Sequence, residues 1–395
     1  MNMKRMTLLT FLFFGMTNWL MASPGGAQAS VALSFYSERL SIPFSTDMLA
    51  IKCGKVEEKN ILDFYRQLEK TNYRVLLDNL QQQQQQLQLN DWLFFQLLRH
   101  SVGEIFQQKN AWEQELVSWF LLSQAGYDTR LTYLENRVFV YVHSKEEVFE
   151  VPMIEENKRN YVNLTSLQNG TKPGTLYLLN FAPRTTGKAF SFALKKLPRL
   201  QSSVSTRTID FYFRGTQHQL QVAYDQTLVD LMKTYPLISE EQYLQFPMSP
   251  VLEASLVPQL QQLLVDKTPR QALELLVGFT RSSFAYKEDR EYFGRSKPMV
   301  ADEVFYYPYS DCEDRSALFY ELVRKLLDLP IIILAYPNHI TVGVALPEPI
   351  RGTFVEWKGR RYYICDPTGP INSTAIGIFP EEYANIPYEV VVQYK

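Results

Sequence analysis

Three residues far apart in the chain, Cys312, His339 and Asp366, are the types that nucleophilic acyl transfer needs. A thiol attacks, an imidazole takes its proton, and a carboxylate fixes the imidazole tautomer. Each also has an ordinary alternative. A free cysteine is most often a small buried hydrophobe, a strand-end histidine can be satisfied by backbone, and an aspartate before Pro367 can simply nucleate a turn. The combination is what argues for chemistry.

The elements that would position these residues are legible around them. Ser310-Asp311-Cys312-Glu313 has the S-x-x-E form of a capping box, with Ser310 as N-cap. Cys312 then falls in a first helical turn, where unpaired N–H groups and the helix dipole favour a thiolate. Asp311, Glu313 and Asp314 oppose that, so a cationic partner is required. The stripe Cys312, Ser316, Phe319, Val323, Leu326 turns the sulfur toward the buried side of the helix. His339 opens a strand on which Thr341 and Gly343 share its face and leave room beside the ring. Asp366 ends the strand Tyr362-Tyr363-Ile364-Cys365-Asp366, and Cys365, of opposite parity, faces away from the site.

Tyr309-Ser310-Asp311-Cys312-Glu313-Asp314-Arg315-Ser316, then Tyr336-Pro337-Asn338-His339, then Tyr363-Ile364-Cys365-Asp366-Pro367-Thr368 resemble the transglutaminase-like superfamily of papain-like thiol enzymes. The resemblance is closest to exported bacterial members and covers residues 265–395. It implies a papain-like α+β core in which Cys312 attacks an amide carbonyl, His339 carries the proton to the leaving amine, and Asp366 orients His339. The substrate implied is a protein or peptide, with no cofactor. The Cys312 N–H should supply one oxyanion donor, and Tyr307 and Tyr309 are candidates for the second. The chain departs from animal transglutaminases in lacking a tryptophan near the thiol and a calcium-loop signature, which favours hydrolysis by water over transfer to an amine. The competing reading is a non-catalytic exported binding protein that uses the same folds as interaction modules.

The rest of the chain divides into an expected leader and two further regions. Lys4 and Arg5, an apolar run at 6–20, and Ala27-Gln28-Ala29 read as a signal peptide over residues 1–29, making the mature protein periplasmic or secreted. Residues 30–168 read as helices followed by strands, with Gln81–Gln86 as a solvated helix surface or an inter-helix connection. Residues 169–240 read as a small antiparallel β domain with a hairpin turn at Arg214-Gly215-Thr216. The prolines at 247, 250 and 258 suggest a linker into a catalytic domain at 241–395. Its order, helices and then antiparallel strands, is α+β.

A shift of 203 positions sets residues 113–142 beside 316–345, with Lys109 opposite Cys312 and Asn136 opposite His339. The alternatives are a degenerate transglutaminase-like copy and a chance pairing of helix and hairpin; an identical strand order would favour the copy.

Composition bounds the remaining possibilities. A net charge of -2 leaves no basic excess for neutralising phosphates, which argues against nucleic acid. No segment after the leader has the length and apolarity to span a bilayer, so stable membrane insertion is not expected. Three cysteines, an odd number in an exported chain, speak against a disulfide framework. No metal-ligand spacing or phosphate-binding glycine loop is visible, so neither metal nor cofactor is expected.

Overall fold

A computed structural model describes residues 26–170, 173–184, 186–383 and 385–395. Most of the expected leader lies outside these, although Gln28 and Ala29, at the expected cleavage point, already belong to a strand. The described residues begin with a hairpin that the sequence reading missed, β1 (Gln28–Phe35) and β2 (Glu38–Ser45). The apolar alternation Val31, Leu33, Phe35 was its signal. Helices α1 (Glu58–Leu68), α2 (Arg74–Gln86), α3 (Asp91–Ile105) and α4 (Ala111–Gln124) follow. Then come β3 (Thr129–Leu134), β4 (Arg137–His143), β5 (Met153–Glu156), β6 (Arg159–Asn163), the short α5 (Leu164–Asn169) and β7 (Tyr177–Leu178).

The expected separate β domain at 169–240 does not form. β7 joins the first sheet, whose order is β5-β6-β4-β3-β7. The remaining strands, β8 (Val204–Phe213) and β9 (Thr216–Asp225), make a lone hairpin around Arg214-Gly215. One face of that hairpin, Ile209, Phe211, Leu220 and Val222, is buried in the C-terminal core. Phe190–Leu194 contributes only an isolated bridge, because its backbone is bonded by the Glu146 carboxylate and the Asp91 side chain instead. Nor is the proline-rich region a linker. After α6 (Gln226–Met232) and α7 (Glu240–Tyr243), helix α8 runs Pro250–Leu264 with Ser249 as its cap, Pro250 at its first turn and Pro258 inside.

The last part holds α9 (Pro269–Ser282), β10 (Ala285–Tyr286), α10 (Asp289–Tyr292), α11 (Ala301–Tyr306), β11 (Tyr309–Ser310) and α12 (Cys312–Leu326). The second sheet follows: β12 (Ile331–Tyr336), β13 (His339–Val344), β14 (Phe354–Trp357), β15 (Arg360–Ile364) and β16 (Glu389–Tyr394). The chain is thus mixed α+β with two antiparallel sheets. Leu318, Phe319, Leu322 and Val323 of α12 are fully buried against Ile331, Ile333, Val342 and Val344. Each such side chain contributes roughly 1.5–3 kcal/mol, which fixes the helix start relative to the strand ends.

The second sheet is ordered β14-β15-β13-β12-β16, the same as the first when strands are matched in sequence. Register matches too. Thr129 pairs with Val142 as Ile331 pairs with Val344, and Met153 pairs with Val162 as Phe354 pairs with Tyr363. The pairing requires a shift one residue shorter than expected for the central hairpin, which replaces Asn136 by Arg137 opposite His339. The helix caps correspond as well, Asn110 with Glu113 and Asp311 with Asp314, bringing Ala111 rather than Lys109 opposite Cys312. Following β6 and β15 to their ends brings Thr165 opposite Asp366. Among the described residues, no helix is long and apolar enough to cross a membrane.

Candidate active site

Cys312 is the first residue of α12, but Ser310 is not the cap. Ser310 is committed to β11, whose backbone pairs with Tyr286 of β10. Asp311 takes the N-cap position, and its N–H donates to Asp314 Oδ2 at 3.0 Å. The box is therefore D-x-x-D, one residue later than expected. Behind it, Arg315 is buried and donates from Nε to Ser310 Oγ at 3.0 Å and from Nη2 to the Phe284 carbonyl at 2.7 Å. These bonds hold the residues before the helix against α9.

His339 starts β13 directly opposite Tyr336 in a tight hairpin. Its ring stacks on Phe379 with centroids 6.0 Å apart and lies 5.4 Å from the Tyr383 ring. Its Nε2 is 3.4 Å from Asp366 Oδ2, which leaves Nδ1 for another partner. Asp366 is buried, and its Oδ1 accepts from the Thr368 N–H at 3.0 Å and the Thr368 hydroxyl at 2.8 Å. Burial pushes the Asp366 carboxyl up, but the bonds and charge of His339 together with Thr368 outweigh it, and the net shift is downward.

The strand end carrying Asp366 is itself clamped. Arg281 of α9, buried, donates to the carbonyls of Asp366 at 2.8 Å, Ser373 at 2.9 Å and Ala375 at 3.3 Å. Gly369 lies flat on this guanidinium, so closely that a Cβ there would come within 2.5 Å of Nη2.

Cys312 and His339 both line one cavity of about 470 Å³, walled also by Tyr286, Glu288, Arg290, Glu313 and the Tyr336–Asn338 turn. The thiol's own hydrogen bond goes to Glu313 Oε2 at 3.3 Å. Burial first, and then the carboxylates of Glu313 and Asp311, push the thiol pKa well up, against a smaller opposing effect of the Ile340 N–H. The expectation of a resting thiolate fails here. The helix terminus favours one, but two flanking carboxylates and burial disfavour it more.

Of the proposed oxyanion donors, neither Tyr307 nor Tyr309 lines this cavity; the tyrosines that do are Tyr286 and Tyr336. Tyr307 is turned toward Phe293, 5.0 Å between centroids, and its carbonyl accepts from Arg207 at 2.7 Å. Sequence reasoning also passed over Arg281, Thr368, Phe379 and Tyr383. Thr368 had a signal in the Asp-Pro-Thr turn; Arg281 had none, since nothing in its helix announces a partner 85 residues on.

Carboxylate oxygens of Asp289, Asp311 and Asp314 lie within 4.8 Å of one another, as do donor atoms of Asp311, Cys312 and Glu313. Spacing alone would admit a hard cation. However, Asp289 already accepts from the Lys297 N–H, and Asp314 accepts from Met299 and Asp311. These carboxylates tie loops together.

At the matching places of the first sheet the chemistry is different. Thr165 donates to Glu115 Oε2 at 3.1 Å and accepts from the Val140 N–H at 3.0 Å. Glu115 also pairs with Arg99. Ala111, Arg137 and Thr165 include neither nucleophilic thiol nor imidazole. Comparison of the chain with protein-family models, with curated proteins and with solved structures gives no match.

Proposed function

We propose that this chain is an exported thiol enzyme of the transglutaminase-like kind, acting on protein or peptide amides through Cys312, His339 and Asp366. The observation that carries this reading is the His339–Asp366 pair at 3.4 Å, with His339 lining the same cavity as Cys312. A papain-like arrangement of helix start, strand start and strand end is the corresponding core. Because the thiol is held neutral at rest, His339 acts as general base only as the amide arrives. The thiol proton passes to the imidazole while sulfur bonds to the carbonyl carbon. The oxyanion faces the Cys312 N–H at the helix start. His339 then gives the proton to the leaving amine, the C–N bond breaks, and water hydrolyses the thioester. Hydrolysis is preferred to amine transfer on the sequence alone.

A second reading, a non-catalytic binding protein, draws support from the raised thiol pKa. Peptide mixtures incubated with the wild type and with Cys312→Ala separate the two. Cleavage or deamidation in the wild type only, with a hydroxylamine-trapped acyl group, is the expected outcome. A wild type that gives neither, at any pH where it is folded, ends the catalytic reading.

The first sheet with α4 we read as a degenerate second copy of the same fold, without the catalytic residues. The shared strand order, register and cap positions support it, and its role is then recognition or support.

A further inference from the structure

The walls of the cavity beside Cys312 are chemically one-sided. Glu240 and Glu288 stand exposed at its rim, and Glu313, Asp311 and Asp289 line its depth. Against these carboxylates the lining offers, among the described residues, a single permanent cation, the exposed Arg290. The nearest buried cations are committed behind the wall. Arg315 is bonded to Ser310 and Phe284, and Lys297 to Glu303 Oε1 at 2.7 Å. In the cavity wall, one oxygen of Asp311, Oδ1, in a residue 6% exposed, has no hydrogen-bond partner among the described residues. A buried carboxylate oxygen without a donor is costly and is relieved by a charged N–H group.

We infer that this cavity takes a positively charged side chain, a lysine ammonium or arginine guanidinium, of the peptide acted on, with Asp311 and Glu313 as its acceptors and Glu240 and Glu288 steering it in. This rests on the proposed function for the identity of the ligand as a substrate, but not for the charge it carries. The geometry agrees with the chemistry. Asp311 and Glu313 flank the thiol in sequence, so a cation between them lies beside the reacting carbonyl. Tyr286, 51% exposed at the same wall, offers an aromatic face to such a cation. Burial, and then its hydrogen bond and repulsion with Glu313, raise the Asp311 carboxyl, so a cation bound there displaces the proton that Asp311 otherwise keeps. The same cation offsets the charge that holds the Cys312 thiol neutral, so the site becomes reactive when a basic residue is bound.

The test uses a set of blocked hexapeptide amides that differ at one position, carrying lysine, arginine, norleucine or glutamate. Binding is read on the full-length Cys312→Ala protein by fluorescence anisotropy, and turnover on the wild type by mass spectrometry. Lysine and arginine peptides should bind about tenfold or more tightly than norleucine at low salt, the difference shrinking as salt rises. Glu240→Gln with Glu288→Gln should cut that preference about threefold and slow association of the lysine peptide. Equal affinity for lysine and norleucine peptides overturns the inference, even if both are turned over. A lysine preference without turnover keeps the inference and removes the catalytic reading. A calcium titration that saturates the protein and erases the lysine preference also overturns it, because the acids then form a metal site.

Discussion

Cys312 Sγ donates its hydrogen bond to the carboxylate of the very next residue, Glu313 Oε2, at 3.3 Å. That bond keeps the proton on sulfur, and Glu313 is the first charged group among the causes that raise the thiol after burial. Glu313→Gln removes the charge and retains an acceptor. Iodoacetamide alkylation of Cys312 at neutral pH should then speed up by about threefold or more. An unchanged rate would mean that burial alone holds the thiol neutral.

Asp366 presents one oxygen to His339 and the other to Thr368, so the carboxylate cannot rotate without losing bonds on both sides. Asp366→Asn should lower kcat by about 100-fold or more, as expected when the imidazole loses its orienting charge. Thr368→Val removes one bond, and the effect should be nearer fivefold, about 1 kcal/mol. The ordering of the two variants is the measurement that matters. A Thr368→Val variant as impaired as Asp366→Asn would place the chemistry elsewhere.

The site was legible in the sequence to the extent that its residues sit at element ends. Cys312 at a helix start and His339 at a strand start follow from period and punctuation, and the structure places them there; Asp366, expected to end its strand, lies two residues beyond β15, which stops at Ile364. The cap assignment failed because Ser310 and Asp311 are both good caps, and the choice was made by β11 pairing with β10. The β domain at 169–240 failed for a similar reason. The pattern of β8 and β9 is a true strand pattern, but a hairpin alone cannot bury its face, and α8 and α9 cover it. Arg281 and Tyr286 were invisible because their roles come from contacts across the fold.

Arg281 holds three carbonyls of the segment that follows Asp366. Burial pulls its pKa down, and the Asp366 charge pushes back. Arg281→Met should leave those carbonyls without donors and destabilise the protein by about 3 kcal/mol or more. Gly369→Ala should act on the same clamp from the other side, by driving a methyl into the guanidinium. A melting temperature unchanged in both variants would show that the 366–375 segment is held by other contacts.

Asp311 gives stability a pH dependence of unusual sign for a carboxylate. Burial first, and then its hydrogen bond and repulsion with Glu313, raise its folded pKa, so the folded state holds a proton that the unfolded chain has released. The stability contribution is full below the unfolded pKa, near ~4, and declines as pH rises toward the raised folded value. Asp311→Asn keeps a good cap residue and removes the charge. Its melting temperature, relative to wild type, should therefore rise by about 2 °C or more on going from mildly acidic to mildly alkaline pH. A difference that does not grow with pH would show that Asp311 is not the group responsible.

The two cores each contain one buried cysteine, Cys53 at 6% exposure in the first and Cys365 at 0% in the second. If the matched sheets are two separate folding units, they need not open together. Among the described residues, Val300 is the core residue from beyond 246 that joins the first core, and α6 contributes to both, Leu228 and Met232 to the first and Val229 to the second. Pulsed thiol labelling across a urea series, read peptide by peptide, should therefore give different midpoints for Cys53 and Cys365. Tryptophan fluorescence, dominated by the buried Trp92 and Trp119 of the first core, should follow Cys53. Coincident midpoints at every probe would make the chain one cooperative unit, and the matched sheets would then be halves of a single fold.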